Sequence, residues 1–144
     1  MARTAAARKT TAKASDTTAR FTLVDDLVAR DTTTKLEWTR KTFGRFTFKQ
    51  AEEHVAKLNA DKHGGHFDWR LPTAEELFCL ADRSRFAPSI DTEAFRATES
   101  SYYWSSTVYA PYPGCRWGVH FLYGNSSGLG DGYDCFVRAV RASQ

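Results

Sequence analysis

The period of apolar and polar positions changes several times along the chain, and each change marks an element. Phe21–Val24, Leu27–Arg30 and Lys35–Thr39 are short β-prone runs separated by Asp-Asp and Asp-Thr. They predict three strands joined by turns, with Trp38 as a core residue. From Thr47 the period becomes helical: Phe48, Ala51, Val55 and Leu58 recur on one face, and Glu52, Glu53 and Lys57 take the wet side. Thr47 followed by Gln50 is a capping box, and the helix should end near Asn59–Asp61, ahead of Gly64-Gly65. His54 reads as a surface or boundary histidine on that helix, and His63 and His66 flank the two glycines in a loop. A second capping box, Thr73 with Glu76, follows Pro72 and opens another helix. Its apolar stripe is Leu77, Leu80 and Ala81, with Cys79 read as a small buried hydrophobe. Residues 82–100 predict an irregular connection with short helical potential at Thr92–Phe95.

The last forty residues return to strand spacing. Strands are expected near Tyr102–Thr107, Cys115–Tyr123 and Phe136–Arg141. Trp117, Val119 and Phe121 alternate and point to one face. Arg116, Gly118, His120 and Leu122 fall on the other face, and that set has no common chemistry. Gly124-Asn125 is a turn signal. The Asn-, Ser-, Gly- and Asp-rich segment 125–135 reads as a loop with at most one weak strand.

A length of 144 residues predicts one ordinary domain, and a 42% hydrophobic share can build a core for it. No apolar run approaches the roughly 20 residues of a membrane-spanning helix. The basic N-terminus is not followed by the apolar stretch of a secretory signal, so cytoplasmic location is the default expectation. The three Cys form neither a disulfide framework nor a zinc motif, and no carboxylate or thiol stands at ligand spacing from the histidines. Neither a metal nor a cofactor is therefore expected. Asp68 and Arg70 around Trp69 read as a structural clamp and not as a catalytic pair.

Charge divides the chain unevenly. Residues 1–20 carry Arg3, Arg8, Lys9, Lys13 and Arg20 against Asp16, a net of +4; the whole chain is +3, so the remainder sums to −1. Residues 1–19 hold no large apolar side chain beyond the initial Met, and they read as a disordered basic tail. Nucleic acid would be a partner only through this tail. The domain itself should span residues 20–144.

One compositional feature asks for a cause of its own. The first hundred residues hold seven Lys and seven Glu, yet Ser101 to Ser143 holds none, nor any Gln or Met. Strand and loop regions are poor in Lys and Glu, but that preference does not abolish them.

The ordered set of motifs DWRLPTAEEL, SSYYWSST, W-x-V-x-F-x-x-G and VRAVR resembles a bacterial and phage domain family of C-type-lectin fold. Several members are the variable proteins of diversity-generating retroelements. The resemblance covers about residues 20–142. It implies an α+β, C-type lectin fold with two helices packed on small antiparallel sheets, and a variable region at about 101–141. In such retroelements adenines of a gene repeat are replaced at random, mostly in AAC and AAT codons. These codons cannot become Lys, Glu, Gln, Met or Trp, which accounts for the gap. Trp104, Ser105, Ser106, Thr107, Trp117, Val119, Phe121, Gly124, Val137, Arg138, Ala139 and Val140 are then the unvaried frame. The ligand-binding, variable positions implied are Val108, Tyr109, Tyr112, Cys115, Arg116, Gly118, His120, Leu122, Tyr123, Asn125, Ser126, Ser127, Leu129, Asp131, Tyr133, Asp134 and Cys135. They should form one exposed patch, with tyrosines as anchors, Arg116 and Asp131 as charged contacts and a protein as ligand.

Two rival functions share the broad fold. A formylglycine-generating oxidase works through paired cysteines, and Cys115 with Cys135 is the candidate pair; no His or carboxylate is placed to activate it. A calcium-dependent sugar-binding lectin needs Glu-Pro-Asn and Trp-Asn-Asp motifs, which the sequence lacks. The expectation is a non-catalytic binding protein, with a fixed-specificity lectin-fold domain as the alternative.

Overall fold

Two small sheets and two helices share the chain between them in a computed structural model that describes residues 19–143. Strands β1 (Phe21–Leu23), β2 (Val28–Asp31) and β3 (Leu36–Thr39) form an antiparallel meander. The last strand of the chain, β9 (Val140–Ala142), completes this sheet by pairing with β3. The two ends of the described chain therefore close on one sheet.

The second sheet runs in the order β4-β8-β5-β6-β7. It comprises β4 (Phe43–Phe46), β5 (Tyr102–Val108), β6 (Cys115–His120), β7 (Asn125–Gly130) and β8 (Cys135–Val137). Its pairings are antiparallel except for one parallel contact between β5 and β8, at Tyr103 and Phe136. This is the α+β, C-type-lectin arrangement, with that one pairing departing from purely antiparallel sheets.

Both helices begin where the capping boxes place them. Helix α1 spans Phe48–Ala60 and α2 spans Ala74–Phe78; in each the cap threonine accepts from the backbone N–H three residues on, and the Gln or Glu there reaches back. Each box satisfies two N–H groups that helix geometry leaves unpaired. Phe48, Ala51, Val55 and Leu58 are the buried face of α1. They pack with Trp69, Leu71, Trp104, Leu129, Cys135 and Val137 on one side of the second sheet. On its other side Tyr103, Val119 and Phe121 meet Trp38, Leu77, Leu80, Ile90 and Phe95.

Arg138 joins the sheets from within. It is fully buried, and its guanidinium donates to the carbonyls of Thr39 and Arg40 and to the hydroxyls of Thr42 and Thr98. Its charge also lies 4.6 Å from the centre of the Phe95 ring. The Asp68–Trp69–Arg70 clamp works through partners elsewhere: Asp68 pairs with Arg141, Arg70 pairs with Glu76, and Trp69 is buried.

Several expectations need correction. The segment 125–135 is not chiefly loop, because Asn125–Gly130 pairs with β6 along its whole length. The strand expected at Phe136–Arg141 is two strands, parted at Arg138 where the chain crosses from one sheet to the other. The strand expected at Cys115–Tyr123 stops at His120, where a turn closed by Gly124 N–H on the His120 carbonyl begins. Thr92–Phe95 forms turns and no helix. Cys79 is exposed: α2 ends one residue before it, and Leu77 and Leu80 take the inward positions. β4 has no counterpart in the sequence reading. The basic tail falls almost wholly on residues 1–18, outside the described residues.

Candidate ligand-binding surface

The registers of β5, β6 and β7 decide which candidate residues meet. Cys115 and Gly130 stand abreast at one end of the sheet, where Val108 faces Arg116; Tyr102, His120 and Asn125 stand abreast at the other. The candidates therefore gather at two ends of one sheet, linked along β7 by Ser126 and Ser127.

At the first end, the β5–β6 connection is a hydrogen-bonded tip. Tyr109 N–H donates to the Cys115 carbonyl, and Cys115 N–H donates to the Tyr112 carbonyl. The rings of Tyr109 and Tyr112 lie nearly parallel with centres 6.3 Å apart, and Tyr109 meets the indole of Trp117 edge-on at 4.8 Å. Tyr109 also lies over Gly128: a Cβ there would come within 2.5 Å of its ring. Arg116 places its guanidinium 4.4 Å from the centre of the Phe48 ring, a cation–π contact at the start of α1. The Asp131 carbonyl accepts from Phe48 N–H, and Tyr133 N–H closes a turn on Gly130.

At the second end, His120 packs edge-on against Tyr102 with centres 4.5 Å apart. Its Nδ1 accepts from the Leu122 N–H, and burial holds its pKa below the usual histidine value. Both observations favour the neutral imidazole with the proton on Nε2. Gly124 turns the chain here with φ +82°, packed against Ala81 and Arg83, where a side chain would be strained.

Exposure divides the seventeen candidates. Tyr112, Tyr123 and Tyr133 are more than three-fifths exposed, and Val108 is nearly half exposed. Asn125, Ser126, Asp131 and Asp134 are exposed, while Tyr109, Cys115, Arg116, His120, Leu122 and Ser127 are half-buried. The remaining three do not belong to an exposed patch. Leu129 and Cys135 lie in the core beneath α1, and Gly118 is buried under Leu129, whose Cδ1 would stand 2.5 Å from an added Cβ. The Leu129 and Cys135 side chains fill the layer between the sheet and the helix and cannot reach a ligand, and Gly118 has no side chain to offer.

Among the frame residues, Trp104, Ser105, Val119, Phe121, Val137, Arg138, Ala139 and Val140 are all buried. Trp104 donates from its indole to the Phe46 carbonyl, and Ser105 donates from its hydroxyl to the Trp117 carbonyl. Ser106 is exposed, and Trp117 is half-buried. Sequence reasoning missed Phe48 as the seat of Arg116 and Tyr102 as the partner of His120. Only the pairing of strands, or the approach of α1 to the sheet, could have revealed either.

Burial pushes the Cys135 thiol up to about 12, with Asp134 adding to the shift and Arg45 opposing it. That is the opposite of the lowered pKa a nucleophilic cysteine needs. Among the described residues no three His, Cys, Asp or Glu side chains gather as metal ligands would. Nor is any described helix long and apolar enough to cross a membrane.

Residues 27–141 match the family described as the Lcl C-terminal domain, which is most of the chain. No curated protein matches it.

Proposed function

The chain belongs to the Lcl C-terminal domain family, and on that premise we propose that it is a non-catalytic binding protein whose contact surface is diversified by retroelement mutagenesis. The observation that carries the proposal is the division of residues 101–143 between a buried frame and an exposed set of side chains. Tyr112, Tyr123 and Tyr133 project from the ends of a sheet most of whose frame residues, Trp104, Val119, Phe121 and Val137 among them, are held in the core. Tyrosine on a rigid base gives a large contact area at small entropic cost, and the Asn and Ser of β7 supply adaptable hydrogen bonds. The absence of Lys, Glu, Gln and Met from the same stretch supports an adenine-directed source of variation. A protein ligand suits a surface spread over two ends of a sheet better than a small molecule, which takes a concave pocket. The raised thiol of Cys135 speaks against an oxidase built on Cys115 and Cys135.

Deep sequencing of the gene from a growing population tests this reading. Codon changes should concentrate at Val108, Tyr109, Tyr112, Arg116, His120, Tyr123 and their exposed neighbours. An even spread of changes over frame and surface would leave a fixed-specificity lectin-fold domain as the better account.

A further inference from the structure

Three of the four tryptophans are at most 3% exposed; Trp117 is the half-buried exception. The five residues of α2 cover Val119 but leave the preceding inward position of β6 only partly roofed. A recess of about 270 Å³ opens there, lined by Ala74, Glu75, Phe78, Trp117 and Ser126. It is smaller than the roughly 300–1,000 Å³ of small-molecule sites, and so has room for one side chain of a partner and not for a whole ligand.

The lining has a definite chemical sense. Trp117 offers an indole, the side chain that attracts cations best through its ring face. Glu75 is exposed and enters no ion pair among the described residues, whereas its neighbour Glu76 is held by Arg70. Ser126 adds a hydroxyl. Arg83 already lies over the Phe78 ring, 4.5 Å from its centre, and is held there by a bond to the Gly124 carbonyl. A cation on this aromatic patch is therefore an arrangement the fold itself uses, and the Glu75 carboxylate and the part of the Trp117 indole that lines the recess beside Tyr109 remain for a second one.

We propose that this recess is a docking site for a basic side chain, the ammonium of a lysine or the guanidinium of an arginine, from a protein partner. The proposal deepens the reading of this surface as a contact surface and rests on it for the source of the cation. Trp117 and Glu75 would supply a constant anchor, with Ser126 and Tyr109 as variable neighbours that choose the rest of the partner. Binding energy in protein contacts concentrates in such pockets and not evenly over the patch.

The test uses small probes, so it can fail while the mutagenesis reading stands, and the reverse. The full chain is titrated with n-butylammonium, with n-butanol as its neutral analogue and sodium chloride as the salt control. The readout is the Trp117 indole resonance, assigned through Trp117→Phe. The expected result is a saturable shift with butylammonium, several-fold tighter than with butanol. Glu75→Gln, which leaves Thr73 and Glu76 of the capping box in place, should weaken butylammonium binding roughly two- to five-fold and leave butanol unchanged. Equal affinity for the two probes, an unchanged Glu75→Gln titration, or no saturable shift would each overturn the proposal.

Discussion

Replacing Leu129 with asparagine should cost far more stability than the same change at Tyr123, although the sequence reading places both in one set of variable positions. Leu129 is 5% exposed and packs beneath α1 with Phe48 and Trp104, while Tyr123 is 65% exposed. Withdrawing a buried leucine side chain loses about 2 kcal/mol of apolar burial. The asparagine amide then sits in that layer without partners, at a further cost of about 1–3 kcal/mol. Together these give roughly 3–5 kcal/mol, in the range measured for truncating buried leucines. A domain of this size is stable by only about 5–15 kcal/mol, so the loss is a large fraction of the whole. Tyr123→Asn touches no core and should stay within about 0.5 kcal/mol of the parent. Equilibrium unfolding in urea, followed by tryptophan fluorescence, measures both. The midpoint should fall steeply for Leu129→Asn and hardly move for Tyr123→Asn, at similar slopes. Equal midpoints would refute the division of the candidates into core and surface.

Stability should also fall with acid. Burial, the largest cause, holds the pKa of His54 and of His63 below the usual 6.5, and nearby Lys57, His63 and Lys41 add to it. Above 6.5 both states are neutral; as pH drops through 6.5 the unfolded chain takes protons first, so stability is lost from there down to the lowered folded values. Urea midpoints between pH 7.5 and 5 should show that decline, and His54→Phe should lessen it. Ellman's reagent should label exposed Cys79 first and Cys115 more slowly, and reach Cys135 only on unfolding, given its burial and raised thiol. Thr47→Ala, which removes the α1 cap, should cost about 1 kcal/mol in the same urea assay. Arg138→Met should cost more than the cap does, because the Thr39 and Arg40 carbonyls would be left buried without donors.

What the sequence disclosed depended on how local each signal is. Both capping boxes are written within four residues, and both helices begin where they say. β4 was invisible because Phe43-Gly44-Arg45-Phe46 is short, carries a glycine at φ +134° and owes its strand character to pairing with β8. β7 hid for a similar reason: Asn-Ser-Ser-Gly-Leu-Gly has little strand preference of its own, and β6 supplies the partner that overrides it. Arg138 parts two strands because its guanidinium finds acceptors on residues about forty to one hundred positions away, a separation no window can span. Within the candidate surface Tyr112, Tyr123 and Tyr133 were legible as exposed side chains, whereas Tyr109 is half-buried against Trp117. Leu129 was not legible as core, although it is the lone large apolar side chain in a run of small polar ones. Cys135, directly before Phe136-Val137, carried the same hint.

Reading the DNA that flanks this gene tests the central claim most directly. The account predicts a near-copy of the codons for residues 101–141 beside a reverse transcriptase. The two copies should differ almost only at adenines, at codons for exposed positions such as Tyr112, Tyr123 and Tyr133, and agree at Trp104, Val119 and Phe121. A flank without such a copy, or differences scattered over the buried frame, would contradict it.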